Sequence, residues 1–139
     1  MKIVLSGVDE AAWSLVALRV VLEREGHAVC VAAEAVGACR RERPDCLVLS
    51  TAHGATGVDV LRRVRADPAL AGLPVVLGGR LAGTRAELLA LGFDEAFPVA
   101  ATDPGRAVAA LRAYLARQSR RSMIVALARP PASHIVCRP

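Results

Sequence analysis

The stretch Asp45-Cys46-Leu47-Val48-Leu49-Ser50 decides the fold of this 139-residue chain. Its apolar run is short and unbroken, which is typical of a strand buried on both faces of a parallel sheet. Pro44 comes directly before the run, and a preceding helix must end there because a proline ring cannot continue an α-helical ladder. We therefore predict a central strand at residues 45–49, with Ser50 at its carboxyl end.

Strand-like and helix-like segments alternate on both sides of this central strand. The other strands are predicted at residues 3–5, 29–31, 74–77 and 96–99, and the helices at residues 11–25, 34–43, 58–66, 84–91 and 104–117. This alternation is typical of a parallel sheet covered by helices on both faces. With right-handed crossovers it predicts an α/β fold with a flavodoxin-like, doubly wound, five-stranded parallel sheet.

Several residues mark the predicted helix ends independently of the hydrophobic pattern. Gly26 and Gly92 can adopt the left-handed conformation that ends a helix. Thr84 can act as an N-cap, and Asp103-Pro104 supplies an N-cap followed by a first-turn proline. These signals fix where three of the helices begin or end.

The length of the chain fits a single domain. We assign residues 1–117 to the α/β domain and residues 118–139 to a C-terminal tail. The tail contains Arg-Arg and Pro-Pro pairs and an apolar patch at residues 123–127. The sequence leaves open whether this tail is disordered or packs on a partner.

Composition excludes several classes of protein. Although 54% of the residues are hydrophobic, no apolar run approaches the roughly 20 residues of a membrane span. The first residues lack the pattern of a secretory signal, so we expect a soluble protein of the cytoplasm. The four cysteines show no CxxC spacing and no neighbouring histidine pair, so we expect reduced thiols rather than a zinc site.

The net charge of +5 comes almost wholly from arginine, which could favour an anionic partner. The arginines are scattered over several helices, however, and the chain has one Trp, one Tyr and two Phe on which nucleobases could stack. We therefore expect solvated helix faces and no nucleic-acid partner.

In a sheet of this type, ligands bind at the carboxyl ends of the strands. The segments predicted at that rim are residues 6–9, 50–57, 78–82 and 99–102. Two families share the layout, namely phosphoryl-accepting receiver domains and cobalamin-binding domains. The rim residues therefore have to distinguish between them.

A receiver domain needs an acidic pair after the first strand, an aspartate ending the third, a hydroxyl ending the fourth and a lysine ahead of the last-strand proline. The corresponding residues here are Gly7-Val8, Ser50, Gly78 and Phe97. A working receiver is excluded, because neither a magnesium site nor a phosphate acceptor remains. Only a degenerate receiver is compatible with these residues.

The rim also resembles the cobalamin-binding small subunit of glutamate (methylaspartate) mutase, over about residues 1–117. That family has a D-x-H-x-x-G loop after the first strand, an S-x-L motif ending the third and a Gly-Gly pair ending the fourth. The matching segments are Asp9-Glu10-Ala11-Ala12-Trp13-Ser14, Ser50-Thr51-Ala52 and Gly78-Gly79. Further similarity lies in Pro44-Asp45, His53-Gly54, Asp59 and Leu91-Gly92-Phe93-Asp94. The stretch Trp13-Ser14-Leu15-Val16 is similar to relatives of that subunit in secondary metabolism.

The resemblance implies a cobalamin site at the rim. Gly78 and Gly79 would admit the nucleotide tail of the cofactor, because any Cβ would intrude there, and Ser50 would orient the base of that tail. The other implied binding residues lie on the loops after the first and third strands: Asp9, Ala11, Trp13, Ala52, His53 and Gly54. Without the family, Gly-Gly can simply turn the chain and Ser50 can cap a strand.

One residue departs from the family. Ala11 stands where the family has its cobalt-ligating histidine, which Asp9 would otherwise hold in the right tautomer. Glu10 offers a hard carboxylate to a metal that prefers nitrogen, and His53 belongs to a different loop. Cobalamin would therefore bind without histidine ligation, or it has been lost.

Three functional hypotheses follow. In the first, the chain is the small subunit of an adenosylcobalamin-dependent, mutase-like isomerase, with a large partner subunit that holds the substrate. In the second, it is a non-catalytic pseudo-subunit or interaction module that has lost cobalamin. The third is a degenerate receiver. No catalytic residue or metal ligand is assigned to this chain, and homo-oligomer formation stays open.

Overall fold

A computed structural model describes residues 1–7, 15–51, 54–79, 84–98 and 104–128. Its strands are β1 (Lys2–Gly7), β2 (Ala28–Val31), β3 (Cys46–Thr51), β4 (Val75–Gly79) and β5 (Glu95–Pro98). They form one five-stranded sheet in the order β2-β1-β3-β4-β5, and each neighbouring pair is parallel. The predicted flavodoxin-like, doubly wound α/β fold is confirmed.

Helices cover both faces of this sheet, and they are α1 (Leu15–Arg24), α2 (Ala35–Glu42), α3 (Gly54–Ala66), α4 (Arg85–Leu91) and α5 (Pro104–Ala128). Helices α1 and α5 supply Leu18, Leu22 and Leu111 to the core on one face. Helices α2, α3 and α4 contribute to the core on the other face. Helix α5 continues well past residue 117, where the sequence predicted its end, and residues 129–139 lie outside the described residues.

No helix among the described residues combines the length and the apolar character that crossing a membrane requires. The longest, α5, carries arginines at positions 106, 112, 117, 120 and 121.

Strand β3 lies in the middle of the sheet, and all six of its residues are buried. Leu47 and Leu49 belong to the core under α2, α3 and α4. Cys46 and Val48 belong to the core under α1 and α5. Because alternate side chains of a strand point to opposite faces, a strand with both faces covered needs apolar residues at nearly every position. The unbroken apolar run therefore reflects burial on both sides.

The predicted glycines at helix ends and the Thr84 cap are confirmed, whereas α3 begins at Gly54 rather than at residue 58, and Asp103 lies outside the described residues. Gly26 and Gly92 have φ angles of 90° and 116°, in the left-handed region where glycine is favoured. Thr84 and Glu87 form a reciprocal capping box at the start of α4. Glu34 caps α2 by accepting hydrogen bonds from the backbone N–H groups of Val36 and Gly37.

Arg65, near the end of α3, ties together the segments that lead into β4 and β5. Its guanidinium donates hydrogen bonds to the carbonyl oxygens of Leu73 at 2.6 Å and Gly92 at 3.0 Å. It also forms an ion pair with Asp94 Oδ2 at 2.9 Å, and the same oxygen accepts the Val75 N–H at 2.7 Å. The Arg65 side chain is 30% exposed, so these contacts are partly shielded from water and hold the amino ends of two strands in place.

We expect Arg65→Ala to lower the free energy of unfolding by about 2 kcal/mol, because several charge-assisted hydrogen bonds are lost together. The matched control is Arg62→Ala, since Arg62 is 74% exposed and lies 3.8 Å from Asp59. That change should stay within about 0.5 kcal/mol of the wild type. Urea denaturation of the two variants measures both values, and equal effects would contradict the assigned role of Arg65.

Candidate functional site

The carboxyl ends of the strands form the edge of the sheet where the sequence predicted the site, and we call it the carboxyl edge. The register places Gly7 of β1 beside Ser50 of β3, and Ser50 beside Gly78 of β4. Thr51 is paired with Gly79 in the same way. The structure thus brings together the predicted site residues Ser50, Gly78 and Gly79.

The remaining predicted site residues fall into two groups. Gly54 is the first residue of α3, three positions after the end of β3. The others lie outside the described residues, and their proposed roles stay predictions: Asp9, Ala11, Trp13, Ala52 and His53.

Ser50 is fully buried at the carboxyl edge, with 0% of its surface exposed. By the alternation of the strand it lies on the same face as Val48, the face covered by α1 and α5. Its two lateral neighbours, Gly7 and Gly78, have no side chains. Ser50 and its two described neighbours therefore contribute one neutral hydroxyl and no carboxylate, since a serine hydroxyl does not ionise near neutral pH.

Gly79 has to be glycine because of the neighbouring strand. Its φ angle is 119°, and a Cβ built at this position would lie 1.9 Å from the carbonyl oxygen of Thr51. No side chain fits at that distance. Position 79 thus requires glycine because β4 approaches the β3 backbone closely. A bound ligand is not needed to explain this requirement.

Ser6 is a second buried hydroxyl near this edge, to which the sequence assigned no role. It is 0% exposed, and its Oγ has no hydrogen-bond partner among the described residues. By alternation it lies on the opposite face of the sheet from Ser50 in the adjacent strand, on the side covered by α2 and α3. The signal in the sequence is a hydroxyl inside the apolar run of the first strand.

The only lysine of the chain is Lys2, at the start of β1. Its Nζ pairs with Glu42 Oε2 at 3.0 Å, at the opposite edge of the sheet, which we call the amino edge. The carboxyl edge therefore has no lysine. Within the part of the chain that the structure describes, no group of three or more His, Cys, Asp or Glu residues is placed to hold a metal ion.

Two of the described cysteines, Cys39 and Cys46, are buried and unreactive. Cys30, Cys39 and Cys46 are free thiols, as predicted, and Cys137 lies outside the described residues. Burial raises the pKa of Cys39 to about 11 and that of Cys46 to about 12. These two thiols therefore stay protonated at neutral pH and are poor nucleophiles and poor metal ligands.

Comparisons with known proteins identify the fold. No family model matches the sequence, and no curated protein matches it. Among solved structures, 63 chains match. A response regulator from Desulfuromonas acetoxidans superposes with a TM-score of 0.59 at 21% identity, over 82% of this chain and 95% of that one. The receiver domain of a signal transduction histidine kinase from Syntrophus aciditrophicus has a TM-score of 0.59 at 20% identity, over 84% and 88%.

A putative response regulator from Chloroflexus aurantiacus is similar as well, with a TM-score of 0.57 and 23% identity over 81% of this chain and 97% of that one. All three proteins carry the response-regulator or receiver description. At these identities the likeness establishes the fold, and the chain has the fold of a receiver domain.

This finding corrects the resemblance drawn from the sequence. The chain was expected to be a cobalamin-binding, methylaspartate mutase-like isomerase subunit, and that assignment is wrong, because the structural neighbours are receiver domains. The misleading motifs were Ser50-Thr51-Ala52 and Gly78-Gly79. Glycine is required at position 79 because the β3 backbone is too close for a Cβ. This glycine therefore does not distinguish between two families that share the same type of sheet.

We expect Gly79→Ala to lower the free energy of unfolding by more than about 2 kcal/mol, because the new methyl group would overlap the Thr51 carbonyl and the backbone conformation would be strained. Gly72→Ala is the matched control, since a Cβ there meets nothing within 4 Å. That variant should lie within about 0.5 kcal/mol of the wild type. Thermal and urea unfolding compare the two, and a well-tolerated Gly79→Ala would show that β3 and β4 do not approach as described.

Proposed function

We propose that this chain is a degenerate receiver domain, a non-catalytic module that binds a protein partner without being phosphorylated. The receiver fold supports this proposal, together with the loss of the groups that phosphoryl transfer requires. The cobalamin cofactor and the large mutase-like subunit were expected only because of the resemblance that the structural neighbours overturn. Neither forms part of the proposed function.

The observation that carries the proposal is the environment of Ser50. A working receiver has an aspartate at the end of its third strand and an acidic pair at the end of its first. Here the penultimate residue of the third strand is a buried serine beside Gly7 and Gly78. Mg²⁺ is held by carboxylate and phosphate oxygens in near-octahedral geometry, and these three residues supply no carboxylate. Within the described part of this edge there is therefore neither a carboxylate to hold Mg²⁺ nor an aspartate to accept the phosphoryl group.

The position of Lys2 supports the same conclusion. A receiver uses a lysine near the carboxyl end of its last strand, close to the phosphorylated carboxylate. The single lysine of this chain is engaged with Glu42 at the amino edge instead. Strand length separates the two edges, and six residues of β1 span about 20 Å. A side chain anchored at the amino edge does not reach Ser50.

A receiver fold without phosphorylation chemistry retains its surface and its rigidity. The neighbour from Syntrophus aciditrophicus is a receiver domain of a histidine kinase, so a domain of this fold works there within a larger signalling protein. By analogy, we propose that this chain docks on a protein partner in one fixed conformation. Pairing of two copies of the chain stays a prediction.

Phosphorylation is the direct test of this function. We expect no phosphoryl group to be added when the purified chain is incubated with acetyl phosphate and Mg²⁺, because Ser50 stands where a working receiver has its acceptor aspartate and the described neighbours of Ser50 supply no metal ligand. Intact mass spectrometry measures the modification, and a working receiver treated in parallel is the positive control. Stoichiometric modification that Ser50→Ala abolishes would contradict the proposal.

A second test restores one carboxylate. In Ser50→Asp the new carboxyl group is fully buried, so its pKa rises above the unfolded value of about 3.9. The loss of stability is then absent below the unfolded pKa, grows as the pH rises toward the folded pKa, and reaches about 3 kcal/mol above it. Ser50→Asn is the neutral control, and its effect should not depend on pH over this range.

Urea denaturation at several values between about pH 3 and about pH 8, the range in which a carboxyl group with a raised pKa titrates, measures the free energy of unfolding of both variants. A Ser50→Asp variant as stable at neutral pH as Ser50→Asn would show that cations surround this position, against the environment assigned to it.

A further inference from the structure

A cavity of about 570 Å³ opens at the amino edge of the sheet, opposite the edge where receivers carry out their chemistry. One wall is the end of α2 with Arg40, Arg43 and Pro44, and the other is the segment between α3 and β4 with Leu70 and Leu73. Its volume lies within the range of small-molecule sites. Nothing in the proposed receiver function uses this cavity.

Arg43 has an unusual backbone conformation at the mouth of this cavity. It is the one non-glycine residue with positive φ among the described residues, with φ 47° and ψ 61°. A side chain in this left-handed region is strained, and glycine or asparagine is the usual choice at a helix end. The next residue is Pro44, which further restricts the residue before it. Strain of this kind at a cavity points to a role for the side chain.

The charges of the cavity leave one cation without a protein partner. The Arg40 guanidinium forms an ion pair with Asp67 at 2.5 Å. The Asp45 carboxylate, the one acidic group of the lining, accepts the backbone N–H of Lys2 at 2.7 Å. Arg43 is exposed, and its side chain has no hydrogen bond or ion pair with any described residue. The cavity therefore presents one available guanidinium.

The interaction of a basic residue with the helix dipole does not by itself explain why an arginine occupies position 43. Basic residues near the carboxyl end of a helix interact favourably with its dipole, and α2 already has Arg40 and Arg41 in its last turn. A glycine at position 43 would end the helix with the same hydrogen bond, from the residue 43 N–H to the Cys39 carbonyl oxygen, now 2.9 Å long. The helix end therefore does not require an arginine at position 43. What this residue adds, compared with glycine, is its guanidinium group at the cavity.

The rest of the lining is largely apolar. Leu70 and Leu73 are buried, and Pro44 and Pro74 are half-buried. An apolar wall with one charged group that fixes the orientation is the usual composition of a small-molecule site. We propose that this cavity binds a small amphipathic anion, a phosphate monoester or carboxylate on an apolar body, with Arg43 holding the anionic group. This inference is independent of the proposed receiver function.

The test uses phenyl phosphate as the probe and ¹⁵N NMR spectra of the full chain as the readout. We expect saturable shifts of the Arg43, Leu70 and Gly72 amide signals. Phenol, which lacks the anion, and inorganic phosphate, which lacks the apolar body, should each bind at least about tenfold more weakly. The signals of Ser50 and Gly78 should not move, which separates this site from the carboxyl edge.

Arg43→Gly and Arg43→Asn give the decisive combination. Both residues accept the left-handed conformation, so both variants should be more stable than the wild type, with a rise in Tm of about 3 °C for glycine. Both should bind phenyl phosphate at least about tenfold more weakly, since the guanidinium is gone. Arg62→Gln removes an exposed cation outside the cavity and should leave the affinity unchanged.

Three results would overturn the proposal. They are the absence of saturable shifts in the wild type, an unchanged affinity in Arg43→Asn, and an affinity for inorganic phosphate or phenol equal to that for phenyl phosphate.

Discussion

The burial of β3 on both faces and both edges is the constraint on which the rest of the structure depends. The strand pairs with β1 on one side and with β4 on the other, and all its side chains are excluded from water. Any charge at its end would have to be desolvated, which is expensive unless counter-charges surround it. Ser50 lies between two glycines and satisfies this constraint as a neutral residue, so the described strand ends keep the receiver architecture without a charge at the position of the acceptor aspartate.

The described residues differ in character between the two edges of the sheet. At the carboxyl edge the described neighbours of Ser50 are glycines, and β4 approaches the β3 backbone too closely for a side chain at Gly79. At the amino edge ion pairs are frequent, with Lys2 on Glu42, Arg40 on Asp67 and Arg65 on Asp94. The cavity lined by Arg43 also lies there, so the proposed anion site is at the edge that phosphorylation chemistry does not use.

The fold could be predicted because local signals and burial agree. The apolar run at β3, the capping residue Thr84 and the helix-ending Gly92 each act within a few residues. The length of α5 was missed because the apolar stripe that packs on the sheet ends near Leu115, while the helix continues. The family was misassigned because a serine and a glycine pair are weak signals, and the glycine at position 79 is required by the approach of β4 to β3 whatever the family. Arg43 could not be found from the sequence, since nothing local predicts a left-handed arginine.

The measurement that tests the account most directly is a titration of the full chain with Mg²⁺, followed by the NMR amide signals along the carboxyl edge. Since the described neighbours of Ser50 supply no carboxylate, we expect no saturable shift of the Gly7, Ser50, Thr51 or Gly78 signals at millimolar Mg²⁺, while a working receiver titrated in parallel shows one. Saturable shifts confined to those residues would mean that a metal site survives at this edge, and the proposal of a receiver fold without receiver chemistry would be wrong.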